Sequence, residues 1–338
     1  MTRYLSDQNK VVLFQESGTY AGSATPNPRW VGEVQDSSID DNEGKLEDRY
    51  LGNLSRSYAD FQDGPLDVTG TLTYKAQDMM LFAHAVGSVY ETNTAGTNKV
   101  IVSEVNSDKI QNPFVSGTSN STSVPFSFSL EDSKQSPGTG KNFIRTVRGA
   151  VSNTHTLSIA QGEKVSVDVG YTAQSIDGRS GTSTTISAPS VKPYLWNSAT
   201  LTMFGTSFDT AKDISLEVNN NVEGPHYING SRVIGAPYQG NRDYTLSLTS
   251  DLDSETSIAV YNQYYKGGST FNATLDMNQD STTGSQHTEI IMSGCEITSF
   301  EAPSTVEGVN ELTLEIRPKN VSAEIYDDAT KIGSYNPF

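Results

Sequence analysis

Two-residue alternation of apolar and polar side chains is the feature that most restricts how this chain can fold. In "DVTGTLTYK" (Asp67 to Lys75), Thr69, Thr71 and Thr73 alternate with Gly70, Leu72 and Tyr74. Val165, Val167 and Val169 recur in the same way in "VSVDVGY", and Leu312, Leu314 and Ile316 in "ELTLEIRP". A period of two puts one set of side chains on each face of a strand, so each stretch reads as a strand with one buried face. "AQDMMLFAHAVG" breaks the pattern: Met79, Phe82, Ala83 and Val86 fall at helical spacing, Asp78 can cap the turn and Gly87 ends it. With 28 Gly, 13 Pro and 35% hydrophobic residues in 338, the expected class is mainly β, with core enough for two domains.

The elements come twice. "FSFSLED" at Phe126 and "FNATLDM" at Phe271 lie 145 residues apart, as do Gly149 in "TVRGAV" and Gly294 in "IMSGCE". A strand pair with a Gly near its turn follows each. Upstream, "YLGNLSR" at Tyr50 returns as "YINGSR" at Tyr227, with Ser55 and Ser231 separated by 176. The first half therefore carries about thirty extra residues, expected as an inserted loop over 90–124. The expected organisation is an N-terminal arm (1–29), a first unit (30–177), a linker (178–195), a second unit (196–326) and a C-terminal tail (327–338). Two such units in one chain can supply two equivalent positions in a ring.

The pattern resembles the tail tube proteins of long-tailed viruses of bacteria and archaea. The resemblance is carried by "WVGEVQDSSI" (Trp30 to Ile39), "YLGNLSR", "GTLTYKAQDMMLFAHAVGS" (Gly70 to Ser88), "FSFSLED" and "VRGAVSNTHTLSIAQGEKVSVDVGY". It implies two tandem β-sandwich or half-barrel units, each with a short flanking helix, whose inner sheets join between subunits into a β-barrel ring. It implies a structural role with no catalysis and no cofactor. The implied partners are copies of the chain itself, other tail proteins at the tube ends, and double-stranded DNA passing through without specific binding. Homotrimeric, pseudo-hexameric rings are favoured for a duplicated chain, with a hexamer as the alternative, and the implied location is the virion tail, assembled in the host cytoplasm.

Charge agrees with a duct that does not hold DNA. Forty acidic residues stand against 23 basic ones, a net charge of −17, and no Lys/Arg cluster is present to grip phosphates. Solubility and adaptation to high salt also produce such a balance. Alternation marks Asp168 and Glu315, each opposite in facing to flanking Val or Leu and Ile, as candidate lumen-facing carboxylates at corresponding positions of the two units. The inserted loop, with Asn93, Asn98, Asn106, Asn112 and Asn120, is the candidate for stacking rings. Its low apolar content suggests that deleting Asn93 to Ser121 leaves the subunit folded.

Other chemistry finds little support. The four histidines lie 61 to 71 residues apart, Cys295 is the only cysteine, and neither arrangement has metal-ligand spacing. "DNEGKLED" and "DLDSE" group carboxylates without calcium-loop spacing and read as solvated turns, and "SPGTGK" lacks phosphate-loop spacing. "GRSG" reads as linker, and the five Asn-X-Ser/Thr sequons are expected by chance in such a composition. The apolar run Val11 to Phe14 is too short for a signal sequence or a membrane span, so export by a cleaved signal and membrane insertion by this chain are not expected. Tyr261, Tyr264 and Tyr265 crowd one helix-like segment and are candidates for subunit contacts. The competing reading is a carbohydrate-binding or adhesive β-sandwich of the virion surface, for decoration or receptor binding, which needs exposed Trp or Tyr platforms, whereas Trp30 and Trp196 sit near the starts of the two units and suit packing better. A glycosidase needs two carboxylates at a defined separation, and nothing singles out such a pair.

Overall fold

The computed structural model describes residues 9–16, 20–22, 24–48, 60–77, 79, 81–94, 97–104, 121–122, 127–135, 142–186, 192–252, 256–278, 287–304 and 309–327. The first part of the chain gives β1 (Lys10–Glu16), β2 (Ala24–Arg29), β3 (Glu33–Asn42), the small pair β4 (Leu46–Asp48) and β5 (Asp60–Gln62), and β6 (Asp67–Lys75). Helix α1 (Phe82–Val86) leads into β7 (Gly87–Thr94), β8 (Thr97–Glu104), β9 (Ser121–Thr122), β10 (Ser127–Lys134), β11 (Asn142–Ala160), β12 (Ser166–Ala173) and β13 (Ser175–Gly181). Then follow β14 (Ala199–Met203), β15 (Thr206–Ser207), β16 (Ala211–Asn219), the pair β17 (Val222–Glu223) and β18 (Tyr238–Gln239), and β19 (Asp243–Asp251). Helix α2 (Thr256–Ala259) runs into π-helical turns (Val260–Tyr265), and β20 (Phe271–Asn278), β21 (His287–Glu301), β22 (Glu311–Arg317) and β23 (Asn320–Asp327) close the described chain.

Alternation decides which strands make the central sheet. β6, β12, β19 and β22 each bury every second side chain, and they pair antiparallel in the order β3–β6–β12–β11–β16–β19–β22–β21. One face contributes Leu72, Tyr74, Val167, Leu157, Leu216, Leu246, Leu314 and Ile316 to a single buried apolar cluster. Among the described residues β3 has no partner beyond β6, and the last part of β21 none beyond β22. Among the described residues the chain therefore forms a large antiparallel sheet with two open edges and closes no barrel.

Long strands carry the chain from this sheet into flanking ones. The first half of β11 pairs with β10 and β13, its second half with β12 and β16. The turn between the two is made at Gly149, whose φ of 64° lies in the left-handed region and whose neighbours break the β10 register between Phe128 and Leu130. β21 divides in the same manner at Gly294, φ 62°, with the β20 register broken between Phe271 and Ala273. A side chain at Gly149 would meet Ala21, Gln174 and Tyr20 at 2.9 to 3.0 Å, so both the angle and the space require glycine.

The registers correct three sequence expectations. Phe128, not Phe126, matches Phe271, because both stand opposite the residue that follows the kinked glycine, Ala150 and Cys295. Residues 90–124 are not one loop: 87–94 and 97–104 form a hairpin whose second strand pairs with β23, and Val102 is fully buried in the core. Deleting Asn93 to Ser121 would strip that ladder and that core residue. The expected linker start, 178–181 with "GRSG", is still strand β13, where Arg179 lies 3.0 Å from Glu131. The helix is shorter than its apolar run, five residues that are all buried, and Gly87 ends it in the left-handed conformation at φ 108°. Asp78, expected as its cap, lies outside the described residues.

Candidate functional site

Residues directly opposite each other in a ladder share a face, so the registers define what the uncovered side of the central sheet presents. β3 places Glu33, Asp36 and Asp40 there, β16 Asp213 and Glu217, and β22 Glu311 and Glu315. Asp67 of β6, Asp168 of β12, Asp243 and Asp251 of β19, and Glu301 of β21 join them. Hydroxyls fill the space between, among them Thr69, Thr71 and Thr73 on β6 and Thr154, Thr156 and Ser158 on β11. Among the described residues the basic groups of these rows are Lys75 and Arg317. At one end Lys164 reaches Glu33 at 2.7 Å, and Lys212 reaches Asp251 at 2.6 Å and Glu311 at 2.8 Å. Those hydrogen bonds, first to Asp251 and then to Glu311, hold the Lys212 ammonium charged well above the ordinary lysine range. The rest of the face remains acidic.

Asp168 is exposed, stands between Thr73 and Thr156, and accepts a hydrogen bond from Thr73 Oγ1. Glu315 stands between Ser247 and Ser299, with Arg317 Nη2 at 3.9 Å. The two carboxylates share the uncovered face, but they do not occupy corresponding positions. Asp168 is opposite Thr156 and Glu315 opposite Ser299, and the residue that matches Asp168 across the recurring register is Thr313, opposite Glu301. A single ring of like carboxylates at this pair does not follow. Asn93 and Asn98 face each other near the end of the β7–β8 hairpin, while Asn106, Asn112 and Asn120 lie outside the described residues.

Sequence reasoning missed most of this face. The signal was present in "EVQDSSIDDN" and "KDISLEVN", where Asp36 and Asp40, or Asp213 and Glu217, recur at even spacing. What obscured it is a bulge in β3 between Val34 and Asp36 and another in β16 between Ala211 and Asp213, each of which shifts the phase of alternation.

The remaining chemistry-bearing groups are taken up by core packing or by local contacts, although Trp196 stays 41% exposed. His155 is fully buried edge-on against Phe82 at 5.2 Å, and burial pushes it down to about 4, so it is neutral at neutral pH. His226 Nε2 lies 2.9 Å from Asp67, and His287 Nε2 lies 2.9 Å from Asp276. Cys295 is a core residue whose thiol is pushed up to about 11, by burial first. Among the described residues no group of three or more His, Cys, Asp or Glu side chains could hold a metal ion. "DNEGKLED" is partly a small hairpin, where Lys45 bonds to Asp63 and Glu43, and "SPGTGK" lies outside the described residues. Trp30 donates to Gln77 Oε1, and Trp196 lines a cleft of about 260 Å³ with Ile159, Leu201 and Phe208. Tyr264 packs on Phe204 and Phe271, and Tyr261 and Tyr265 pack on Phe300.

The family model of the phage tail tube protein matches residues 94–318, two thirds of the chain, from the end of β7 through β22. The chain belongs to the phage tail tube protein family. Trp30 to Ser88, which carried much of the resemblance, precedes the matched span, and no curated protein matches the chain. Membership makes this a structural protein of the virion tail that assembles with itself and with other tail proteins. Among the described residues no helix is long and apolar enough to cross a membrane.

Proposed function

We infer that this tail tube chain is a duplicated ring subunit whose central sheet lines the lumen through which the DNA genome leaves the virion. The observation that carries the reading is the uncovered face of that sheet, built of carboxylates and hydroxyls over its whole width, between two unpaired edges. An open edge invites further pairing, and joining edges between subunits is the way to remove it. A duct wall of this composition repels phosphate, and it offers no cation rows to which a moving polyanion would bind and stall.

Duplication is supported by the pairing order. β3–β6–β12–β11 and β16–β19–β22–β21 repeat one sequence of ladders, and each is followed by a strand, β13 or β23, on the first half of its long strand. With four strands from each unit, three chains form a pseudo-sixfold barrel of roughly 24 strands. Contacts between stacked rings are assigned to the inserted segment 90–124, of which 105–120 lies outside the described residues. Asp168 and Glu315 are assigned to the lumen wall at different heights.

Electron microscopy of the purified protein, concentrated until it polymerises, tests this reading. Hollow tubes of stacked rings with three subunits each are expected. Discrete globular monomers at every concentration would overturn it, and six chains per ring would overturn the trimeric assembly.

A further inference from the structure

We propose that the open edge of β3 is the docking site for residues 299–304 of a second copy, in a register already written inside the chain. This rests on the ring reading above and specifies its seam. Within the chain, the second half of β11 pairs with β16, from Thr154 opposite Asn219 to Ala160 opposite Asp213. β11 matches β21 at an offset of 145, through the kinks at Gly149 and Gly294 and the bulges Ser152/Thr154 and Ile297/Ser299. β3 matches β16 at an offset of 177, through the bulges Val34/Asp36 and Ala211/Asp213. Carrying the internal joint across these matches sets Ser299 opposite Asn42, Glu301 opposite Asp40 and Pro303 opposite Ser38. The residues between them give Phe300 with Asp41 and Ala302 with Ile39.

The hydrogen-bond parity of the two edges agrees. In the internal joint Asn220 N donates to Asn153 O at 2.8 Å and Gln161 N to Lys212 O at 3.1 Å, so the odd-numbered residues of β11 are the hydrogen-bonded ones. Their matches on β21 are Phe300 and Ala302, both of which keep an N–H. Pro303, which has none, falls on a non-hydrogen-bonded position, where nothing is asked of it by the partner. On β3 the residue opposite Ala302 is Ile39, whose carbonyl accepts from Arg145 Nη1 at 3.3 Å and meets the Ala302 N–H through its second lone pair.

A second, independent observation is the apolar surface left at the β21 edge. In the internal joint His155 and Phe82 are 0% exposed. At the matching place Phe300 packs on Tyr261 at 5.1 Å, yet Tyr261 is 37% and the nearby Ile258 61% exposed. What the second half of the chain covers for the first is left uncovered on the second, and a further copy is the partner whose edge has the matching strand.

Paired cysteines read the register. Asn42 and Ser299 occupy a non-hydrogen-bonded pair, where opposite Cα atoms lie within disulfide reach. In a Cys295→Ser background, Asn42→Cys with Ser299→Cys is expected to give intersubunit disulfides in assembled rings, ending in one closed species. Asn42→Cys with Glu301→Cys, shifted by two, is expected to cross-link at least tenfold less. Thr154→Cys with Asn219→Cys, the intrachain equivalent, should close within one chain. Should the cysteine variants not fold, strand positions in a reconstruction of the native tube give the register directly. Tubes that cross-link equally off register, or not at all, overturn this seam and leave the tube reading standing. A chain that stays monomeric overturns both.

Discussion

Removing the charge of Asp40 or Glu301 should tighten the ring, and the size of the effect follows from the seam. The proposed register sets the two carboxylates directly opposite each other, both exposed on the uncovered face of the sheet, where the internal joint has Thr156 opposite Glu217. Like charges in such a pair destabilise the ladder. At about 5 Å their repulsion is about 0.8 kcal/mol at the dielectric of water and about 3 kcal/mol at an effective value of 20. Their solvated position favours the low end, so about 1 kcal/mol per seam is taken, roughly fivefold in the association constant of each contact. Asp40→Asn and Glu301→Gln should each lower the critical concentration for polymerisation by about that factor at low ionic strength. The gain should fade towards 1 M salt, where the screening length is about 3 Å. Pelleting assays across a salt series measure it, with Asp168→Asn as a control on the same face away from the seam. Either single change removes the same repulsion, so the double variant should add little. Full additivity, or an equal effect of Asp168→Asn, would refute the pairing.

His155 gives a pH dependence of known sign. Its folded value of about 4 lies below the ordinary 6.5, so its contribution is complete above 6.5 and is lost as pH falls towards 4, by about 3 kcal/mol in all. His155→Phe, the residue present at the matching Phe300, should flatten that acid limb in denaturant melts at pH 4.5 and 7.5; an unchanged slope would contradict it. Glu16 is fully buried and accepts from Ser127 Oγ, Ser129 Oγ and Gly149 N at 2.5 to 2.6 Å, so Glu16→Ala should cost on the order of 3–5 kcal/mol in urea unfolding; a loss under about 1 kcal/mol would show those donors re-paired. Asp168→Lys with Glu315→Lys should still assemble but slow DNA ejection, more so at low salt; ejection at the native rate at all salt concentrations would remove the charge argument.

What could be read from the sequence was what is local. β6, β12 and β22 follow from alternation alone, and Gly87 from the end of an apolar run, because a strand face and a helix stop are decided within a few residues. The twin glycines were visible as an offset, though not their work of turning a strand between sheets. The β7–β8 hairpin was not legible: its Asn, Ser and Thr content reads as loop, and its partner β23 lies more than two hundred residues away. "GRSG" reads as linker for the same reason, since its strand character comes from the neighbouring β11 and not from its own propensity. The acidic face was half legible. Asp168 and Glu315 stand in unbroken alternation, whereas Asp36, Asp40, Asp213 and Glu217 sit beyond bulges that reset the phase.

A reconstruction of the assembled tube at a resolution that separates strands tests the central claim most directly. Expected is a lumen walled by the central sheets of three chains, with Asp36, Asp168, Glu217 and Glu315 facing the channel and β3 of each chain against 299–304 of the next. A lumen lined mainly by Lys and Arg, or a sheet turned with these carboxylates to the outside, would contradict it.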